Sequence, residues 1–162
     1  MHLYVGHALY KLDLKQRRKF TNQQIIDQVT LARSNSRSQG SIYFRANAFE
    51  KNYQNFQEKF RATIYQYPAI IPSMPWIDSI RPSTPKKMKV TWENSSVMLS
   101  WSQDETKDPM NKVHSYAIYR TEGTATNVEL NAKNLIKISR NTQFIDFNTE
   151  KGKTYTYYVT SF

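Results

Sequence analysis

The apolar residues of the first half of the chain recur with two periods. "LYVGHALY" (3–10) begins as a short apolar run of strand length, and "SIYF" (41–44) is a second. Between them, "FTNQQIIDQVTLARSN" (20–35) places Ile25, Ile26, Val29 and Ala32 on one face of a helix. Thr21 can cap the amide of Gln24 while Gln24 reaches back, which is a capping box, and Phe20 and Ile25 hold the positions of a hydrophobic staple. "RSNSRSQG" is a polar exit from that helix. A second helix is expected after Asn55, where Asn55 and Glu58 offer another capping box. Phe56, Phe60 and Ile64 then share a face until Pro68 stops the run. Strand, helix, strand, helix predicts a parallel sheet with right-handed crossovers.

The period changes in the second half. "VTW" (90–92), "VMLSW" (97–101), "SYAIYR" (115–120), "LIKIS" (135–139), "TQFID" (142–146) and "TYTYYVTS" (154–161) alternate apolar and polar positions between Asn-, Asp-, Gly- and Lys-rich turns. Such spacing predicts an antiparallel β-sandwich. In "GKTYTYYV", Tyr155 follows Gly152 by three residues and suits a tyrosine corner, with Trp101 as the large core residue facing that strand. Five of the six prolines fall in "PAIIPSMPWIDSIRPSTP" (68–85), which is neither helix nor central strand. This segment reads as a hinge, and its Ile70, Ile71, Met74, Trp76 and Ile77 are expected to pack against a neighbouring domain rather than run free in solvent.

Two parallel strands are too few for an independent sheet, and their edges need protection. The first half therefore reads as a piece of a larger α/β domain, and self-association or strand exchange is expected of it.

Composition narrows the picture. The chain has 162 residues, 39% of them hydrophobic and 14% aromatic, enough for a packed core. No apolar run approaches the roughly 18 residues of a membrane span. "MHLYVGHALYK" lacks the features of a secretory signal, so an export signal or lipid anchor is expected upstream if there is one. The absence of cysteine excludes disulfides, thiolate metal sites and a cysteine nucleophile. A net charge of +10 raises the question of nucleic acid. Residues 1–80 hold eleven Lys and Arg against five Asp and Glu, and residues 81–162 hold twelve against eight. The densest clusters, "KQRRK" (15–19) and "KKMK" (86–89), are short, and no nucleic-acid motif accompanies them. The reading is a solvated basic surface with no nucleic-acid partner. His2, His7 and His114 have no ligand spacing and the four glycines form no phosphate loop, so neither a metal nor a cofactor is expected.

The second half, with "PSTPKKMKVTW", "VMLSW", "YAIYR", "TQFID" and "GKTYTYYVTS", resembles a fibronectin type III domain, one that would lack its last strand beyond Phe162. Taken in order, "YVGHALYKL", "GSIYFRANAF", "YPAIIPSMPWID" and "YAIYR" resemble the C-terminal part of the glycosyl-hydrolase-like family 10. That family consists largely of bacterial envelope proteins in which a (β/α)8 barrel precedes a fibronectin-type tail. The resemblance implies the last two βα units of a TIM-type barrel at 1–67, the hinge at 68–85 and the sandwich at 86–162. It also implies a location in the cell envelope or outside the cell. A polysaccharide or oligosaccharide would then bind at the carboxyl ends of the strands, against His7, Tyr10, Tyr43, Arg45 and Asn47.

Four of these residues have an ordinary structural alternative: a satisfied core histidine for His7, packing for Tyr10 and Tyr43, an ion pair for Arg45. Glycoside hydrolysis needs two carboxylates flanking the bond. The first half offers only Asp13, Asp27, Glu50, Glu58 and Asp78, none at a strand end, so no catalytic residue is assigned and the chain alone is expected to be inactive. The alternative function is a non-catalytic carbohydrate-binding or adhesion module.

Overall fold

The computed structural model describes residues 2–93, 95–126 and 130–162. The chain divides into two units, Met1–Gln66 and Tyr67–Phe162.

In the first unit, β1 (Leu3–Ala8) leads through a 3-10 turn (Leu9–Leu12) to α1 (Asn22–Ser34), followed by β2 (Ser38–Phe44), a short α2 (Asn47–Glu50) and α3 (Phe56–Thr63). The strands pair in parallel, His7 opposite Tyr43. Alternation sends Val5, His7, Ser41 and Tyr43 to the face that carries the helices, and Tyr4, Ile42 and Phe44 to the other, where all three are exposed. Glycine is required at two points on that outer face. A Cβ at Gly6 would lie 2.9 Å from the Phe44 ring, and one at Gly40 would lie 2.8 Å from the Tyr4 ring, so both rings lie across the sheet.

The core of this unit is Leu9, Leu12, Ile25, Val29, Ala48, Phe56 and Phe60, with Phe20 and Ile26 packed against it. Burial of each large side chain contributes roughly 1.5–3 kcal/mol before entropy is counted. The start of α1 forms as the pattern predicts. The Gln24 amide donates to Thr21 Oγ1 at 3.2 Å, and the Thr21 amide donates to Gln24 Oε1 at 2.9 Å. The start of α3 does not. Asn52, Gln54 and Asn55 all have positive φ (42°, 57° and 56°), and Asn55 makes no side-chain cap. The cap comes from further back: the Gln57 amide donates to Asn52 Oδ1 at 2.9 Å, and Asn52 Nδ2 donates to both carboxylate oxygens of Glu58 at 3.0 Å. The left-handed turn carries Asn55 out of reach and brings Asn52 in.

In the second unit, all six alternating runs are strands: β3 (Lys86–Glu93), β4 (Ser96–Ser102), β5 (Tyr116–Glu122), β6 (Leu135–Ser139), β7 (Gln143–Asp146) and β8 (Tyr155–Ser161). They form two antiparallel sheets of three, β3-β4-β7 and β6-β5-β8. Val97, Leu99, Trp101, Tyr116 and Ile118 are the core, with the Trp101 and Tyr116 rings edge-on at 5.2 Å. The Tyr155 hydroxyl accepts from the Glu150 amide at 3.1 Å, holding the turn before β8. In the proline segment Ile70 packs against Ala117, Tyr119 and Leu135, whereas Ile71, Met74, Trp76 and Ile77 are exposed.

The expected architecture, a barrel remnant followed by a fibronectin type III-like sandwich, is not the one the chain adopts. It is β-rich, built of three small sheets with three α-helices. A barrel wall needs strands hydrogen-bonded on both sides, but among the described residues β1 and β2 pair only with each other. In the second unit, Val90 and Trp92 stand opposite the core residues Leu99 and Val97, yet they remain 56% and 47% exposed. The β3 edge of that layer is uncovered, where a sandwich would bury it.

Candidate functional site

Residues at the carboxyl ends of β1 and β2 combine exposure with charge. Arg45 follows β2 directly, and Tyr10 sits in the turn that follows β1. The parallel pairing brings them together: the Arg45 guanidinium carbon lies 5.5 Å from the centre of the Tyr10 ring. Arg45 is exposed and Tyr10 half-buried. Asn47, the first residue of α2, is exposed two positions further on.

The same two connecting segments hold further pairs of this kind. Lys11 Nζ stands 4.6 Å over the Phe20 ring, and Lys51 Nζ stands 5.8 Å over the Tyr53 ring. The Tyr53 hydroxyl donates to Asp13 Oδ2 at 3.2 Å, and the other oxygen of Asp13 accepts from the Lys15 amide at 2.9 Å. Asp13 is therefore occupied on both oxygens. Among the described residues, every salt bridge belongs to the second unit: Lys86–Asp104, Arg120–Asp146, and Lys153 with Glu122 and Glu150. No lysine or arginine of the first unit is neutralised in that way.

His7 and Tyr43 stand apart from this exposed group. His7 is 1% exposed; its Nε2 lies 3.0 Å from Ser41 Oγ, and its ring stacks on Tyr43 at 5.4 Å and 29°. The Tyr43 hydroxyl lies 2.6 Å from that of Tyr65. Burial pushes the Tyr43 phenol well above its ordinary value, and the hydrogen bond with Tyr65 adds to the shift. Each of the two reaches one shallow, open depression. His7 lines one of about 300 Å³ with Val5, Gly6 and Gln28, and Tyr43 lines one of about 310 Å³ with Phe49, Phe60 and Tyr65. The five residues singled out in the sequence thus divide into an exposed Arg45 over a half-buried Tyr10, an exposed Asn47 and a packed His7–Tyr43 pair.

The Lys11–Phe20 and Lys51–Tyr53 pairs and the Tyr53–Asp13 bond were not singled out from the sequence. The signal was present as basic residues interleaved with aromatics in "ALYKLDLKQRRKF" and "FRANAFEKNY". Among the described residues no three His, Asp or Glu side chains gather as metal ligands. Among the described residues no helix is long and apolar enough to cross a membrane.

No family model matches the chain. Its sequence is similar to that of a glycosyl hydrolase, with 31% identity over 162 residues. That relative is glycosyl hydrolase YngK of Bacillus subtilis (strain 168), and the match covers 99% of this chain and 31% of YngK. The chain thus spans about a third of the length of the curated relative it matches. Among solved structures, pectate lyase PelI from Erwinia chrysanthemi, in complex with tetragalacturonic acid, matches at 24% identity and a TM-score of 0.37. The match covers 49% of this chain and 23% of that one, a likeness too slight to bear on fold or function.

Proposed function

We propose that this chain is the carbohydrate-holding portion of a glycoside hydrolase that acts on an extracellular or cell-envelope polysaccharide. The observation that carries the reading is the similarity to a glycosyl hydrolase, which runs through both units. In this reading the first unit supports the sugar through Arg45, Tyr10 and Asn47, and the second, which opens with the proline-rich segment at 68–85, is an accessory domain. Arg45 and Asn47 offer hydrogen-bond donors, and the Tyr10 ring under Arg45 helps to place the first of them, a set that orients a polyhydroxylated ligand.

Hydrolysis requires a pair of carboxylates across the scissile bond. Asp27, Glu50 and Glu58 are exposed on helices, and Asp13 is held by Tyr53 and Lys15. We therefore assign the chain a binding role and place the hydrolytic pair outside its described residues.

The test is electrophoresis of the chain through gels cast with individual bacterial and plant polysaccharides, alongside an assay for released reducing ends. Retardation by at least one polysaccharide, without release, is the expected result. Release by the chain alone would overturn the division of labour. An unaltered mobility in every gel would overturn the reading itself.

A further inference from the structure

We infer that the glycan held by this chain is anionic, and that Arg45 is the residue that selects for its charge; this rests on the polysaccharide reading above. Residues 1–66 carry eleven Lys and Arg against four Asp and Glu, and none of those cations forms a salt bridge among the described residues. The first unit therefore presents an uncompensated positive field, which draws an anion by long-range attraction.

Arg45 stands apart within that field. Its guanidinium carbon lies 5.5 Å from the centre of the Tyr10 ring, a cation–π contact that limits its freedom without neutralising its charge. Among the described residues none of the Arg45 N–H donors is hydrogen-bonded or ion-paired, so an edge of the guanidinium stays open. That edge is the fork which binds the paired oxygens of a carboxylate or phosphate ester.

Arg120 in the second unit shows the opposite case. It too lies over a tyrosine, with its guanidinium carbon 5.1 Å from the Tyr155 ring. Its Nη1, however, is committed to the Asp146 carboxylate at 2.8 Å and the Asn148 backbone carbonyl at 2.6 Å, and the ion pair neutralises its charge. The same cation-over-tyrosine geometry is closed in Arg120 and open in Arg45. Lys11 and Lys51, parked over Phe20 and Tyr53 on the two segments that flank Arg45 and Tyr10, add positive charge where successive anionic groups of a polymer would lie. Nucleic acid shares the charge. Its sequence-independent binding also uses a groove of cations with aromatic platforms for successive bases, whereas here Tyr10, Phe20 and Tyr53 each already have a side-chain cation over the ring.

The experiment measures binding of the full chain to alginate, hyaluronate and polygalacturonate, each beside its fully methyl-esterified form, to wall teichoic acid, and to single-stranded DNA. The expected result is binding to at least one anionic glycan that falls roughly tenfold on esterification and roughly tenfold in Arg45→Ala, and that weakens with salt. Carboxylate polymers and teichoic acid separate the two sources of anionic oxygen. Arg37→Ala removes an exposed cation from the turn between α1 and β2, and is expected to bind as the unsubstituted chain does.

Equal loss in Arg37→Ala and Arg45→Ala would overturn the assignment to Arg45, because bulk charge would then account for the binding. Equal binding of esterified and free polymers would overturn the anionic inference while leaving the polysaccharide reading standing. Binding to no glycan at all would remove both. DNA bound more tightly than every glycan would replace the inference with nucleic-acid recognition. Arg45 is exposed, so both alanine variants are expected to retain the far-UV circular dichroism of the unsubstituted chain.

Discussion

A phenol that packs against apolar neighbours and shares its hydroxyl hydrogen resists ionisation, and Tyr43 and Tyr157 are placed in that way. Burial, reinforced by Tyr65, raises the pKa of Tyr43; burial, reinforced by the Asp146 carboxylate 3.0 Å away, raises that of Tyr157. In the unfolded chain both titrate near the ordinary phenol value of 10.0. A raised folded pKa means that the stabilisation is fully present below pH 10 and is lost as pH climbs through and beyond it. The urea midpoint is therefore expected to hold steady to about pH 9 and to fall between about pH 10 and 11. Tyr43→Phe and Tyr157→Phe, which cannot ionise, should each make that fall shallower. A fall equally steep in both variants would remove these phenols as its cause. The sequence points to Arg45 and Tyr10 because both stand just past strand runs. It does not reveal that His7 is buried against Ser41, since that depends on which face of the sheet the helices cover.

Helix starts are decided over a few residues, and the two long helices of the first unit solve the problem differently. Thr21 and Gln24 satisfy each other's amides at the start of α1. Thr21→Ala should therefore lower the unfolding free energy by about 1 kcal/mol in urea titration. At α3 the working residue is Asn52, three positions before the one the pattern suggests. Glycine adopts positive φ without strain, so it separates the hydrogen bonds from the backbone requirement. Asn52→Gly should cost about 1 kcal/mol, whereas Asn55→Gly, which has no cap to lose, should change stability by only a few tenths. Equal effects would show that Asn52 does not cap α3. The box around Thr21 was legible because it follows from spacing inside a regular helix. The Asn52 cap was not, because it depends on three departures from helical geometry, at Asn52, Gln54 and Asn55.

At the scale of a whole unit, one buried carboxylate ties the two sheets of the second half together. Asp146, at the end of β7, is 3% exposed; it takes Arg120 of β5 at 2.8 Å, the Tyr157 hydroxyl of β8 at 3.0 Å and the Asn148 amide at 3.0 Å. The strand that carries the carboxylate lies in one sheet, and both side-chain partners lie in the other. Asp146→Ala strands a partly buried guanidinium and leaves two donors unpaired. It should lower the stability of this unit by about 3 kcal/mol. All three tryptophans, Trp76, Trp92 and Trp101, belong to the second unit, so tryptophan fluorescence reads its unfolding directly. A midpoint shift of less than a third of that expected would mean that the sheets are held by packing alone.

What the sequence determined by itself was local: the helix α1 with its cap, two strand runs in the first half, six in the second, and a proline-rich break between them. Those features follow from periodicity and capping, which depend on residues within one turn or one pleat of each other. Tertiary structure alone decided how many partners each strand acquires, whether Val90 and Trp92 are covered, and that Arg45 meets Tyr10 while Arg120 meets Asp146. Pairing and closure join residues tens of positions apart, as His7 and Ser41 are, 34 apart in the chain. A local pattern shows that a strand exists, but not how many neighbours it finds, and the difference between an open guanidinium and a spent one arises at that level.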